Sequence, residues 1–418
     1  MKATFFTAPY CMGWSDLYLQ MATWSLDSPV KVATGSISSI DNLCDALDIT
    51  RSELDVALNL PDSEKYEQKD TPKKDGTKRV IFNPDFRLRR IQRRINKRIF
   101  SNGNAVRWPS YVFGSIPNSI GPDNEIVEKD YVACARKHCG SKSILNIDIK
   151  NFFENIHQRY VEDIFENFFK YPSDISKILA ELCCYRSHVV QGALTSSYIA
   201  SLCLYDIEGD VAERLTRKNL IYTRLVDDIT ISSKISDYNF DYASQIIEGM
   251  LLKKELPINS SKTRVQYIST APLMVHGLRV AFSEPRLPSD EVRRIRSAVK
   301  NIETLAQECS YRTSHPYRHD FNRCMGRVNK LSRVGHKQHA NLVGRMKKIL
   351  PLPSKKDIER TTKIVERLAG DFAAKKDTYW YWKRFYLAHE RLNVLQRSFP
   401  SIAGILRKKL KYLRSTYE

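Results

Sequence analysis

The 418-residue chain is 42% hydrophobic and 27% charged, which is the composition of a globular protein with room for two or three packed subdomains. Its formal net charge of +20 indicates a polyanionic partner, and nucleic acid fits better than a membrane surface because no basic amphipathic segment dominates one end. No apolar run reaches membrane-spanning length and the opening residues lack the layout of a signal peptide, so we expect a cytoplasmic protein without a membrane partner.

The chain contains nine cysteines, an odd number, and no pair of them has the CxxC spacing of a zinc site. In a cytoplasmic protein such cysteines are reduced and largely buried as small hydrophobic side chains. We therefore assign the thiols no chemistry.

Residues 1–60 are interpreted as an N-terminal helical element, in which residues 36–60 predict two short helices with Ser and Thr caps. The basic stretch of residues 66–100 predicts a hairpin with Asp75 and Gly76 at its turn, followed by a helix whose isoleucines recur at helical spacing. By itself this stretch fits a solvated charged hairpin and helix as well as it fits a phosphate-binding surface.

Residues 144–156 (ILNIDIKNFFENI) combine a buried strand with an acidic side chain. The isoleucine-rich pattern predicts the strand, and Asp148 lies inside it. A charge in a buried strand is costly unless it is paired or binds a metal, so Asp148 is a candidate metal ligand.

Residues 157–190 predict helical structure, and a further helix begins after the sequence QGALTSS at residues 191–197. Glycine at position 192 lets another backbone come close, and the Thr and Ser hydroxyls can cap the helix that follows. Because such helix starts are common, this pattern alone specifies no function.

Residues 222–233 (YTRLVDDITISS) predict a β-hairpin with Asp227 and Asp228 at its turn. Adjacent carboxylates repel each other, and a water-exposed turn is the simplest explanation of this stretch alone. If the end of the Asp148 strand lies beside the hairpin, three carboxylates converge and bind Mg²⁺, which prefers oxygen ligands. Two Mg²⁺ ions, or Mn²⁺ in their place, would activate a 3′-hydroxyl and stabilise leaving pyrophosphate, which is polymerase chemistry.

The C-terminal half predicts amphipathic helices with basic faces, and residues 379–382 add an aromatic cluster near its end. The basic side chains fit either a solvated surface or phosphate contacts, and the aromatic rings fit either helix packing or stacking on RNA bases. We favour structured RNA as the partner of this end. The candidate nucleic-acid-binding residues are Arg293, Arg294, Arg296, Lys408 and Lys409.

Four stretches together resemble motifs A, B, C and D of reverse transcriptases, in the order NIDIKNFF, QGALTSS, LVDD and INSSKT. The nearest resemblance is to bacterial retron and defence-associated enzymes. It implies an α+β right-hand polymerase fold, with fingers and an antiparallel palm sheet in residues 61–285. A helical thumb would follow in residues 286–350, and a basic aromatic extension in residues 351–418.

The resemblance also implies roles for single residues. Asp148, Asp227 and Asp228 match the metal-binding carboxylates, and the backbone carbonyl of Ile149 matches a further ligand. Lys262 matches a lysine that gives a proton to leaving pyrophosphate, with a surface lysine after a turn as the equal alternative. Substrate-binding positions are matched by Lys73, Lys74 and Arg79 at the triphosphate, Phe153 at the sugar, and Gln191 and Gly192 at the template and nascent base pair.

Three positions depart from the family's patterns. Leu225 replaces the tyrosine of the Tyr-x-Asp-Asp motif, which puts primer handling in doubt. Cys134 replaces the Asn of the retron Asn-Ala-x-x-His signature, and His276 replaces the Thr of Val-Thr-Gly. These two exchanges favour a defence-associated group other than true retrons. His138, which completes the first signature, is predicted to be structural.

The predicted function is RNA-directed DNA synthesis on a dedicated structured non-coding RNA, with deoxynucleoside triphosphates as substrates and an effector protein or a second copy as further partner. A role in anti-phage defence follows from the resemblance alone. The alternative is a template-independent or protein-primed polymerase of abortive-infection type, for which 21 tyrosines offer priming hydroxyls. A non-catalytic RNA-binding scaffold is the third hypothesis, and the intact carboxylates argue against it.

Overall fold

The computed structural model describes residues 27–72, 76, 78–101, 105–121 and 123–417. The N-terminal element comprises strand β1 (Val30–Lys31) and helices α1 (Ile40–Leu47), α2 (Arg51–Leu58) and α3 (Asp62–Lys65). The side chains of Ser39 and Thr50 cap α1 and α2 by accepting backbone N–H groups, which confirms the predicted caps.

The fingers contain an antiparallel hairpin and a basic helix. Strands β2 (Tyr66–Pro72) and β3 (Lys78–Pro84) form the hairpin, and α4 (Phe86–Ile95) continues into a π-helical turn (Asn96–Phe100). Helix α4 buries apolar side chains at helical spacing, as the sequence predicts. The predicted triphosphate-binding residues Lys73 and Lys74 lie outside the described residues.

The palm is built on one five-stranded sheet. The strands after the fingers hairpin are β4 (Val106–Arg107), β5 (Val112–Phe113), β6 (Ser119–Ile120), β7 (Ile126–Val127), β8 (Ser143–Asp148), β9 (Ile221–Leu225), β10 (Asp228–Ser233), β11 (Arg264–Tyr267), β12 (Met274–Val275) and β13 (Leu278–Arg279). The strand order in the palm sheet is β11-β8-β10-β9-β5, and all neighbouring strands are antiparallel except β5 and β9, which are parallel. Strand β4 pairs with β1, while β6–β7 and β12–β13 are separate hairpins.

Seven helices accompany this sheet among the described residues, and a π-helical turn (Ile164–Phe168) extends the third. They are α5 (Tyr131–Lys137), α6 (Phe152–Asn155), α7 (Gln158–Asp163), α8 (Ser173–Cys183), α9 (Ser196–Leu202), α10 (Glu208–Arg217) and α11 (Asp241–Lys253). One hydrophobic core runs from Ile37 to Leu256, so the N-terminal element, fingers and palm pack as a unit. Strands β8 and β10 are buried along nearly their whole length, although polar residues such as Asn146, Thr230 and Ser232 alternate with their isoleucines.

Two helical units follow, each with its own apolar core. The thumb consists of α12 (Ser289–Ala306), α13 (His315–Arg333) and α14 (His339–Lys348), with a 3₁₀ turn (Tyr311–Thr313) before α13. The C-terminal unit consists of α15 (Lys355–Lys375), α16 (Tyr379–Leu395) and α17 (Pro400–Lys411). The proposed boundaries at residues 285 and 350 fall between these elements, and the chain has the α+β architecture that the sequence predicts.

The C-terminal unit contacts both the thumb and the fingers. On the thumb side, Arg318 forms an ion pair with Asp357 at 3.2 Å. On the fingers side, the Arg93 guanidinium lies 5.3 Å from the centroid of the Trp382 ring and 5.5 Å from that of Tyr417. These cation–π contacts of α4 connect the C-terminal unit to the fingers.

None of the described helices combines the length and the hydrophobicity that a membrane-spanning segment needs.

The cysteines within the described ranges all carry free thiols, and most of them are buried, as predicted from their number and spacing.

Candidate active site

Antiparallel pairing of β8 with β10 brings together the two acidic stretches that the sequence singled out. Asp148, the last residue of β8, lies directly opposite Asp228, the first residue of β10. The backbone N–H of Ile149 donates to the carbonyl of Asp227 at 3.1 Å. Three carboxylates separated by about 80 residues of chain therefore meet at one end of the palm sheet.

The turn that carries Asp227 has a strained backbone. Val226 has a φ of 59°, which β-branched residues rarely adopt. The Arg224 guanidinium donates to the Val226 carbonyl at 3.1 Å and to carbonyls of α9. Arg224 is fully buried, and Glu208 accepts from it at 2.5 and 2.7 Å. A buried ion pair thus holds the turn, and sequence reasoning missed it because both residues lie among ordinary charged residues.

Asp148 is engaged by two side chains from the loop before β11. The Lys262 ammonium group donates to its two carboxylate oxygens at 3.0 and 3.1 Å, and the Asn259 amide donates to one of them at 2.9 Å. The hydrogen bond to Asp148 raises the pKa of Lys262. The structure thus brings Lys262 into the site, and it adds Asn259, whose backbone N–H also donates to the Asp148 carbonyl at 2.8 Å.

Nearby positive charges do not offset the burial of the other two carboxylates, Asp227 and Asp228. Burial raises the pKa of Asp227 and, together with the charges of Asp227 and Asp148, raises that of Asp228 to about 6. The positive charges of Lys262 and Arg79 oppose the shift at Asp227, so exposed Arg79 acts on the site from the fingers. Clustered carboxylates of this kind are stabilised by a hard cation.

The donor set therefore fits a magnesium site in its chemistry, and the backbone of Ile149 adjoins the site through its N–H bond to the Asp227 carbonyl. Among the described residues, no three acidic, histidine or cysteine side chains are arranged so that they could bind one metal ion. Asp148 instead forms an ion pair with the Lys262 ammonium group. An open cavity of about 430 Å³ is lined by Asp148, Asp228 and Lys262, which leaves space for a substrate.

The predicted motif B residues are fixed to the fingers. The backbone N–H of Phe82 in β3 donates to the Gln191 carbonyl at 2.8 Å. Gly192 has a φ of 113°, and a Cβ at this position would lie 2.5 Å from the Phe82 carbonyl oxygen. Only glycine fits there.

The two phenylalanines of motif A differ in burial. Phe152 is buried in the core, while Phe153 is half-buried.

The remaining predicted contacts lie on the surface of the helical units. Arg293, Arg294 and Arg296 are exposed on α12, and Lys408 and Lys409 are exposed on α17. Of the aromatic cluster, Tyr381 is buried in the C-terminal core, Tyr379 and Trp382 face fingers arginines, and Trp380 is 62% exposed.

His138 is a structural residue, as predicted. Its ring is fully buried, with Nδ1 2.7 Å from the Ser232 hydroxyl and Nε2 2.7 Å from the Thr223 hydroxyl. Burial lowers the pKa of His138 to about 3, so the ring is neutral.

Comparison with known proteins agrees with the motifs. A family model described as "Reverse transcriptase (RNA-dependent DNA polymerase)" matches residues 71–309. The chain is 44% identical to the Retron Ec48 reverse transcriptase of Escherichia coli, over 88% of this chain and 90% of that relative. It is 29% identical to the Retron Se72 reverse transcriptase of Salmonella heidelberg (strain 579083-10), over 90% of this chain and 96% of that relative.

These relatives correct one prediction, namely that Cys134 and His276 place the chain outside the retrons. The Cys134 thiol lies 3.3 Å from Nε2 of His276, so the two departures are neighbours in space and amount to one paired exchange. A paired exchange is weaker evidence of distance from a family than two independent ones. The chain is thus a retron-type bacterial reverse transcriptase, an RNA-directed DNA polymerase.

Proposed function

We propose that this reverse transcriptase copies a dedicated structured non-coding RNA by two-metal-ion nucleotidyl transfer, in the cytoplasm and as part of anti-phage defence. The observation that supports the chemistry best is the register of Asp148 opposite Asp228, with Asp227 bonded to Ile149 at the same sheet end. The RNA and the defence role rest on the resemblance to retron and defence-associated enzymes.

In this proposal Asp148, Asp227, Asp228 and the Ile149 carbonyl hold Mg²⁺, with Mn²⁺ as a substitute. When bound, the two ions supply activation of the 3′-hydroxyl and stabilisation of leaving pyrophosphate. Lys262 keeps a proton on Nζ within reach of this site and serves as the acid for pyrophosphate.

The substrate is held by residues of both fingers and palm. Arg79, Lys73 and Lys74 bind the triphosphate, and Gln191 with Gly192 contacts the template and nascent base pair. The half-buried Phe153 ring selects deoxynucleotides by leaving no room for a 2′-hydroxyl. The exposed arginines of α12 bind the product duplex, and the exposed Lys408, Lys409 and Trp380 bind the structured RNA.

Replacement of both Asp227 and Asp228 by Ala tests the metal assignment. We expect metal-dependent deoxynucleotide incorporation to be abolished while RNA binding, measured by filter retention, stays within about two-fold of the parent, because the phosphate contacts lie elsewhere. The matched control is the D123A/E125A variant, which removes two exposed acidic side chains near the β6–β7 hairpin and should leave incorporation unchanged. Retained synthesis in the Asp227/Asp228 variant would refute the assignment.

Sequencing of the nucleic acid that copurifies with the protein from its host tests the template. One RNA species with complementary DNA supports the proposal, whereas DNA covalently attached to protein supports protein priming instead.

Phage challenge of cells that carry either the parent or the D227A/D228A variant tests the defence role. An effector protein or a second copy of the chain would copurify in stoichiometric amount.

A further inference from the structure

An open cavity of about 310 Å³ lies where the segment after β13 meets the thumb, and three arginines line it. Arg279 ends β13, Arg286 follows in the segment before α12, and Arg296 lies on α12 itself. Among the described residues, this cavity shares no lining residue with the one beside Asp148 and Lys262. It is therefore a second site, outside the candidate active site.

The backbone holds Arg279 and Arg286 directly opposite each other. The backbone N–H of each residue donates to the carbonyl of the other, at 2.8 and 3.0 Å, so the two form an antiparallel pair. Like charges opposite each other in such a pair are destabilising. The two guanidinium groups lie 5.2 and 4.1 Å from the centroid of the Phe282 ring. These cation–π contacts attract both groups to the ring, but they provide no counterion.

The carboxylates nearest in the sequence are paired with other basic side chains. They form ion pairs at 2.9–3.5 Å, namely Glu284 with Arg136, Asp290 with Arg294, and Glu291 with Lys330. Among the described residues, the guanidinium groups of Arg279, Arg286 and Arg296 have no carboxylate partner. The cavity therefore carries uncompensated positive charge, and arginine binds phosphate oxygens well because its planar group donates two parallel hydrogen bonds.

Two polar atoms at this cavity are shielded from solvent and have no hydrogen-bond partner, Arg279 Nε and Gln338 Oε1. Both side chains are only partly buried, and the terminal torsion of glutamine is broad, so the amide can turn toward a ligand. Arg279 donates and fits a phosphate oxygen. Gln338 Oε1 accepts and needs a ligand hydrogen, which a phosphodiester lacks. In RNA, the ribose 2′-hydroxyl next to the phosphate supplies that hydrogen.

We propose that this cavity binds a ribonucleotide unit of the structured RNA, with its phosphate on the arginines and its 2′-hydroxyl on Gln338. An RNA strand fits better than a free nucleotide because the cavity is open and the exposed arginines continue along α12 to Arg293 and Arg294. The inference rests on the proposed function, since it takes the structured RNA as partner. It assigns Arg296 to that RNA instead of to the product duplex.

The R279A/R286A variant of the full chain tests the phosphate contacts. The probe is a labelled single-stranded RNA of about 12 nucleotides, followed by fluorescence anisotropy at several salt concentrations. We expect the affinity to fall about ten-fold and the slope of log affinity against log salt to become shallower by about one to two. Arg323→Ala removes an exposed arginine from α13 and should change the affinity less than about two-fold. Parent-like affinity and slope in R279A/R286A would overturn the inference.

Gln338→Leu tests the hydroxyl contact, and it keeps the inference testable if R279A/R286A does not fold. The Gln338 side chain caps no backbone group of α14, so the fold should tolerate leucine. We expect the affinity for RNA to fall about three- to ten-fold, while the affinity for DNA of the same sequence stays within about two-fold of the parent. An equal loss for RNA and DNA, or no loss for either, would overturn the inference.

Two further measurements separate other ligands. Labelled AMP that binds the parent in the micromolar range, and not R279A/R286A, would show a site for a free nucleotide instead of an RNA strand. If R279A/R286A keeps its RNA affinity and loses a copurifying protein, the cavity is a protein-binding surface. Either result would overturn the inference.

The same measurements distinguish failure of this inference from failure of the proposed function. If R279A/R286A binds RNA like the parent, and the parent copurifies with one RNA species, the inference is wrong and the proposed function stands. If the parent binds RNA no better than DNA and copurifies with no RNA, the proposed function itself is wrong.

Discussion

The fold buries Asp228 partly and places it next to the carboxylates of Asp227 and Asp148. Partial burial and the two neighbouring negative charges raise the pKa of Asp228 to about 6, above the ordinary aspartate value of 3.8. The folded chain therefore binds a proton that the unfolded chain releases between these two values, and stability falls as pH rises through this window. The side chain is about half exposed, so solvent screening reduces the energetic effect.

We predict that Asp228→Asn raises the melting temperature of the metal-free protein at pH 7.5, where the carboxylate is charged. Because the parent carboxyl is mostly protonated at pH 4.5, the difference should shrink there. Thermal unfolding in EDTA at both values measures it, with Asp123→Asn on an exposed loop as control. An equal difference at both pH values would show that the pKa of Asp228 is not raised.

The buried pair of Glu208 and Arg224 gives a second prediction. Glu208→Ala leaves the Arg224 charge buried without a partner, and we expect a loss of about 3–5 kcal/mol in the free energy of unfolding by urea. The E208M/R224M double variant removes both charges and should be more stable than Glu208→Ala. It should nevertheless incorporate nucleotides poorly, because the bond to the Val226 carbonyl is lost. A double variant as active as the parent would contradict a role of Arg224 at the turn.

At the scale of single residues, the sequence predicted the carboxylates and Lys262 because they lie in short motifs with fixed order. It did not predict the contacts of Arg224 with Glu208 or of Cys134 with His276. Those contacts depend on helix packing and on the β12–β13 turn, which join residues up to 142 positions apart. Side chains from separate elements meet only after the tertiary structure is known.

Among the elements, α4, β8 and the β9–β10 hairpin follow the apolar periods of their sequences. Strands β4 and β5 have two residues each, which is too short for a period to be recognised. The antiparallel palm sheet was predicted from the resemblance, but the parallel pairing of β5 with β9 was not. That pairing joins residues about 110 positions apart, and no local pattern encodes it.

The close approach of Gly192 to β3 yields a prediction about the fingers. Gly192→Ala would place a methyl group 2.5 Å from the Phe82 carbonyl oxygen, in a backbone that cannot yield without breaking its bond to Gln191. We expect lower stability and at least ten-fold lower incorporation. The control is Gly249→Ala in α11, which has open space around it and should raise stability by about 0.5–1 kcal/mol. Parent-like activity of Gly192→Ala would contradict a role for this contact.

Over the whole molecule, the C-terminal unit bridges the thumb and the fingers. The fingers contact consists of arginines of α4 against Tyr379, Trp382 and Tyr417, beside a cavity of about 250 Å³. The contact includes three cation–π interactions, each of which contributes about 0.5–2 kcal/mol. Because each unit has its own core, we expect that the contact can open without unfolding either unit.

We predict that Arg93→Ala loosens this contact, because Arg93 faces both Trp382 and Tyr417. Amide hydrogen exchange should become faster in the first turns of α16 and at residues 415–417, while the exchange of β8 and β10 stays unchanged. Arg51→Ala removes the same charge from an exposed position on α2 and serves as the control. Unchanged exchange in α16 would mean that the bridge is held by other contacts, such as the thumb ion pair of Arg318 with Asp357.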